Sequence, residues 1–243
     1  FLTAYKKDRN LPKLFASMIA DINTQNTVSS RAVRRSVYRG IMRTVFKLTD
    51  EQMTPIEATK EEKQEYFDLS KKTIDAQHEE VVDLAMLKAI IAVSPLCDLM
   101  VRSGLRISEV LDNKAKFTKK KVMFRLNKKA GNDFYEVHII GSVGDWIKKY
   151  HAMKEAYKDR TSKQITDSVN IKLKKILPVD FYKRSSHICR AIYIRYLYKF
   201  RTADCAKWTF PQIISKFLHH DNPTAAVYYQ HIILSDDVVD FLR

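Results

Sequence analysis

Long apolar runs are missing from this 243-residue chain. The most apolar stretch, 81–101, is interrupted by Asp83, Lys88 and Asp98, so it reads as buried helix and excludes a membrane span there. Glycine (5) and proline (6) are scarce, which excludes a chain made of tight turns and points to a mostly helical one. Cysteine is limited to Cys97, Cys189 and Cys205, far apart and without metal-ligand spacing. That excludes a disulfide scaffold and a cysteine-ligated metal, and the three read as reduced thiols of an intracellular protein. Acidic residues are in deficit, 28 against 43 Lys and Arg, for a net charge of +15. Such a surplus is the footprint of a polyanionic partner. What the chain does have is apolar material: 45% hydrophobic and 11% aromatic residues suffice for a packed core in one or two domains. It opens on Phe1 instead of Met, so it is expected to be a fragment of a longer protein.

The charge is distributed unevenly. Leu11, Leu14, Phe15, Met18, Ile19 and Ile22 recur at helical spacing, and Asn23 to Thr27 break the pattern. A second helix, capped by Ser29 or Ser30, is predicted to reach Leu48 with Val33, Val37, Ile41 and Val45 as its apolar face. Beside that face run Arg31, Arg35, Arg39, Arg43 and Lys47, four apart and with few acidic neighbours nearby. Arg35, Arg39 and Arg43 are therefore candidate contacts to a nucleic-acid backbone, where each neutralised phosphate releases counterions. Between Asp50 and Asp83 the sign reverses, with eleven acidic and four basic residues, as expected of a linker and a solvent-facing helix. The expected division is a helical domain over 1–65 and a larger domain over 66–243.

In the larger part, 81–111 reads as two buried helices divided at Ser94-Pro95. From Lys114 to Lys129 there are eight basic residues and no acidic one. Val122 to Leu126 alternates as a strand, Ala130-Gly-Asn-Asp has turn chemistry, and Phe134 to Ile140 is a second strand. Lys119, Lys120, Lys121 and Lys128 of this small antiparallel sheet are further candidate phosphate contacts. Helices are predicted over 143–157, 162–176, 187–200, 211–218 and 223–232. The expected fold class is mainly α with a small antiparallel β-sheet.

Some side chains demand an explanation. Arg106 stands among Leu105, Ile107 and Val110, and an arginine on a mostly buried helix needs a partner, for which Glu109 is the ordinary choice. His187 and Arg190, three apart, share a helical face. Asn222-Pro223 is a helix start that puts Tyr229 about two turns in, nine residues after His220. A metal site at His219, His220, Asp221 and His231 is the competing reading, but no second carboxylate cluster completes it; no metal and no cofactor is expected.

Arg106, Lys129, His187-x-x-Arg190, His220 and Tyr229, in this order and spacing, resemble the active-site set of the tyrosine recombinases and integrases. Ser103-Gly-Leu-Arg-Ile-Ser-Glu-Val is close to that superfamily's first box, and Leu218 to His231 lines up with its histidine-to-tyrosine box. Ala115-Lys-Phe, the strand ending Lys128-Lys129 followed by Tyr135-Glu-Val-His-Ile, and Cys189-Arg-Ala-Ile-Tyr-Ile-Arg look more like the telomere resolvases, or protelomerases. The resemblance covers roughly residues 30 to 235. His219 stands where the superfamily has glycine, which leaves open which histidine points inward. Tyr228 competes with Tyr229, and Lys128 with Lys129; spacing from His220 favours Tyr229, and the strand alignment favours Lys129.

The resemblance implies the tyrosine-recombinase catalytic fold preceded by a helical core-binding domain. It implies an enzyme that cuts and rejoins double-stranded DNA through a 3′-phosphotyrosyl link, without metal or cofactor. Arg106, Arg190 and His220 would clamp the phosphate, Tyr229 attack it, Lys129 protonate the leaving oxygen, and His187 assist. For the protelomerase branch it implies a homodimer on a palindromic site that reseals each end as a hairpin. A recombinase or integrase joining two sites, a type IB topoisomerase, and a DNA-binding protein with a relic active site are the alternatives. The place of action would be inside the cell: the cytoplasm or nucleoid of a bacterial host, or the nucleus for a virus of eukaryotes.

Overall fold

The computed structural model describes residues 10–75, 79–112, 114–125, 133–181, 184–200, 205–219 and 227–243, with side chains except at 69–75, 227 and 228. The chain divides into two compact units, Phe1–Ala76 and Gln77–Arg243. The division falls beyond the acidic helix, because that helix packs on the first unit.

In the first unit Asn10 caps α1 (Leu11–Asn23) by accepting the Lys13 amide, and the apolar positions read from the sequence bury Leu14, Phe15, Met18 and Ile22. Thr27, not a serine, caps α2 (Val28–Val45). A 3-10 turn over Glu51–Ile56 contributes Met53 and Ile56 to the core, and α3 spans Lys60–Asp75. Helix α2 is rotated from its expected orientation. Its buried residues are Val28, Tyr38 and Met42, whereas Val33, Val37 and Val45 are 66%, 50% and 59% exposed. The reason lies outside the helix: the arginine side finds carboxylates on α3 and the preceding turn, and Tyr38 donates to Asp21 at 2.5 Å. The rotation loses little apolar burial, because Tyr38 and Met42 enter the core in place of the three valines.

In the second unit strand β1 (Glu80–Val82) pairs in parallel with β5 (Ile232–Leu234), joining the two ends of the unit. Helix α4 (Leu84–Val93) is capped by Asp83 and α5 (Pro95–Ser103) by Ser94, as the serine-proline step predicts. The expected single helix to residue 111 stops instead at Gly104, and a short α6 (Ile107–Asp112) follows. Strands β2 (Ala115–Phe117), β3 (Val122–Phe124) and β4 (Tyr135–Val137) form an antiparallel sheet, with Phe117 opposite Val122 and Phe124 opposite Tyr135. On it packs α7 (Val143–Ala156), where Trp146 and Tyr150 meet the Phe124 edge and the Trp146 indole donates to the Leu99 carbonyl. Helix α8 (Ser162–Ile176) is followed by α9 (His187–Lys199), α10 (Phe210–Leu218), α11 (Val227–Gln230), and α12 (Asp236–Leu242) after β5. In α9 every residue from Ile188 to Ile194 is buried, so this helix is the axis of the unit. The buried thiol of Cys189 there shares a hydrogen bond with that of Cys97 on α5, and both remain free. Among the described residues no helix is long and apolar enough to cross a membrane.

Candidate active site

The site begins at a glycine. Gly104 ends α5 with φ +65°, and a Cβ there would stand 2.3 Å from the Tyr193 ring and 2.9 Å from Leu218. Only glycine accepts both the left-handed backbone and this approach. The turn aims the Gly104 carbonyl at α9 and places Arg106 at the start of α6, where the Arg106 carbonyl receives the Val110 amide. Glu109, three residues on, accepts the Arg106 backbone amide at 2.8 Å and its guanidinium at 2.6 Å. One carboxylate thus caps the helix and holds the arginine.

Arg190 is the hub. Its side chain, 3% exposed, donates to the carbonyls of Gly104 and Leu218, the latter at 3.1 Å. It lies 3.7 Å from the same Glu109 carboxylate and hydrogen-bonds Tyr229. Burial pushes the guanidinium below its ordinary value; the Tyr229 oxygen opposes this, the Arg106 charge adds to it, and Glu109 opposes it again. Four segments far apart in sequence therefore meet at one guanidinium: 104–109, α9, the end of α10 and α11. Tyr229 is itself buried, at the end of a segment tied down by the β1–β5 pair and by the buried His231 Nε2, 3.3 Å from Glu80.

The remaining candidates divide. His187, itself exposed, is the first residue of α9, with the buried Arg190 one turn on. His219 caps α10 at φ +51°, the left-handed conformation for which glycine is the usual residue, and its ring lies 5.2 Å from Tyr135. Lys128, Lys129 and His220 lie outside the described residues, as does the Tyr228 side chain. Lys119, Lys120 and Lys121 occupy the exposed turn between β2 and β3, with Lys121 2.7 Å from Glu136. Arg35, Arg39 and Arg43 line one groove of the first unit, paired with Glu62, Asp50 and Glu57. Those partners come from 50–62, beyond the neighbourhood in which few acidic residues were seen. Glu109 is the residue that sequence reading undervalued: the Arg-x-x-Glu spacing showed its pairing with Arg106, but its reach to Arg190 is a tertiary contact.

The second unit is mainly helical with a small antiparallel sheet, and a helical unit precedes it in the sequence. More particularly, the chain has the protelomerase fold. It is similar, over 96% of its length, to an arginine-to-alanine variant of the protelomerase TelA covalently complexed with substrate DNA, with a TM-score of 0.68, 15% identity and 86% of that chain covered. A second TelA variant, complexed with a DNA hairpin product, matches over the same shares with a TM-score of 0.67 and 14% identity. The protelomerase TelK complexed with substrate DNA matches 93% of this chain and 53% of its own, with a TM-score of 0.60 and 14% identity. No protein-family model matches the sequence, and no curated protein does.

Proposed function

We propose that this chain is a DNA breaking and rejoining enzyme that works through a phosphotyrosine on Tyr229 and closes double-stranded DNA ends as hairpins. One observation carries the reading. The buried Arg190 guanidinium meets the Tyr229 side chain in a pocket shared with Arg106 and Glu109. A phenol held beside two guanidinium groups is the arrangement that attack on a phosphodiester requires. As the oxygen of Tyr229 bonds to phosphorus, negative charge grows on the non-bridging oxygens, and Arg106 and Arg190 are donors suited to it. The bond to the 5′-oxygen breaks, and that oxygen takes a proton from Lys129 as general acid. The phenol proton passes towards His187 at the mouth of the site. The 3′-phosphotyrosyl link conserves the bond for rejoining. His220 is the third phosphate donor in this reading.

The likeness to DNA-bound protelomerases and the +15 charge favour duplex DNA as the substrate, and the protelomerase fold favours a homodimer on a palindromic site over a two-site recombinase. The domain division into a DNA-binding part and a catalytic part, and an intracellular place of action, follow from the same reading. The test is incubation with a palindromic duplex in EDTA, read on a denaturing gel. Hairpin ends and a covalent protein–DNA adduct are expected. In Tyr229→Phe both fall by at least about a thousandfold, whereas Tyr228→Phe keeps them. Exchanged arms would indicate recombination, relaxed plasmid alone a topoisomerase, and binding without any adduct a relic.

A further inference from the structure

The three arginines of α2 that line the groove are held in two different ways. Arg35, 13% exposed, donates to both oxygens of Glu62 at 2.8 and 2.7 Å. Glu62, 18% exposed, also takes Arg31 at 3.3 Å and the Thr59 amide at 3.1 Å, so this carboxylate is enclosed by donors. Arg43 and Arg39 share a single oxygen of Asp50, at 2.5 and 3.3 Å, and Asp50 is 64% exposed. Arg39 reaches Glu57 only at 3.6 Å, and Glu57 is 3.8 Å from Lys63. The groove these side chains line is walled by the small residues Ala32, Ser36 and Gly40, and a Cβ added at Gly40 would meet nothing within 4 Å. A low wall beside exposed cations admits a backbone, not a side chain.

Two guanidinium groups converging on one solvent-exposed carboxylate oxygen have the geometry of a phosphate clamp with an internal anion in it. We propose that Asp50 occupies a phosphate position in the first unit and is displaced by a DNA strand, which Arg39, Arg43 and Lys63 then hold. Arg35 stays with Glu62 as a structural pair and makes no phosphate contact. This rests on the DNA reading above and divides the arginine stripe into an exchangeable and a fixed part. The exposed pair is held weakly enough to exchange, because solvent screens it; the enclosed pair is not.

The experiment is equilibrium binding of the full chain to a fluorescent duplex of about 30 base pairs, repeated across salt concentrations. Asp50→Asn is expected to bind roughly fivefold more tightly at low salt and to steepen the salt dependence, since the carboxylate shared by Arg39 and Arg43 then no longer competes with DNA. Arg43→Gln and Arg39→Gln weaken binding and flatten the slope of log affinity against log salt by about one each. Gly40→Glu, which fills the groove and offers its arginines a second internal carboxylate, weakens binding while helicity is retained. Arg35→Gln lowers the melting temperature and leaves the slope unchanged. An unaltered affinity and slope in Asp50→Asn, or a slope in Arg35→Gln as flat as in Arg43→Gln, overturns the proposal while leaving the catalytic reading intact. Absence of duplex binding by the unaltered chain overturns both, and the covalent adduct assay reports on the catalytic reading separately.

Discussion

Two groups of arginines sit in the two units of this chain, and their surroundings differ in kind. In the second unit Arg190 and Arg106 converge on one buried carboxylate, Glu109, and Arg190 spends further donors on the carbonyls of Gly104 and Leu218. In the first unit Arg31 and Arg35 share Glu62 and Arg39 and Arg43 share Asp50, with Glu65 and Glu57 at longer range, and Asp50 and Glu65 lie in the open. Arg190 is buried and Arg106 partly so, and solvent screens charges held this way only weakly, so an anion reaching them would feel both. An exposed set of ion pairs stabilises a helix pair only modestly and can exchange its internal carboxylates for another anion. The physical difference is one of screening: little solvent reaches Arg190 and Glu109, and much reaches Asp50 and Arg43.

The strongest way to break this comparison is to remove the hub. Arg190→Ala leaves two backbone carbonyls without that donor and Glu109 with one guanidinium fewer, and is expected to lower unfolding free energy by about 3 kcal/mol as well as abolish cleavage. Chemical denaturation followed by circular dichroism measures the first, the adduct gel the second. Arg35→Ala, by contrast, should lower stability by no more than about 1 kcal/mol.

The two glycines sharpen the same contrast. Gly104→Ala forces a Cβ against the Tyr193 ring at a left-handed backbone position and should destabilise by about 2–3 kcal/mol, seen as a fall in melting temperature. Gly40→Ala sits mid-helix with open space around it and should stabilise by about 0.5–1 kcal/mol. If both changed stability in the same direction, the tight turn at residue 104 would have no bearing on the site.

The smallest effect is that of acid. Burial pushes the Glu62 carboxyl up, but hydrogen bonds from Arg35 and the Thr59 amide outweigh it and hold the group below its ordinary 4.5. The Arg43 hydrogen bond likewise holds Asp50 below its ordinary 3.8, slight burial opposing and Arg39 adding. A carboxyl depressed on folding contributes stability that is complete above its unfolded value and is lost as pH falls through the folded one. Melting temperature is therefore expected to decline as pH drops from about 5 towards 3, less steeply in Glu62→Gln.

Much of the helical layout was legible in the residues. The Ser94-Pro95 break, the 162–176 helix and the two strands around Ala130-Gly-Asn-Asp rest on local capping, periodicity and turn chemistry, and the elements stand at those places. Val33, Val37 and Val45 form a regular stripe, but period alone cannot weigh a valine stripe against Tyr38 and Met42 and against carboxylates 7 to 34 residues away. Strands β1 and β5 escaped notice because each has three residues and pairs only with the other, 150 positions distant. At the candidate site, Arg106, Arg190 and Tyr229 were named through the resemblance to the tyrosine recombinases, and the structure brings these three together. The role of Glu109 as the shared partner was not, since one of its two arginines is 81 positions away in the sequence.

The sequence by itself determined the sign of the charge, the helical content, the candidate residues and their order, because each depends on composition or on neighbours within a few positions. Tertiary structure alone decided which side of α2 is buried, which carboxylates answer which arginines, and that one buried guanidinium joins Gly104, Glu109, Leu218 and Tyr229. Those outcomes are set by competition for burial and for counter-ions among groups brought close only by folding.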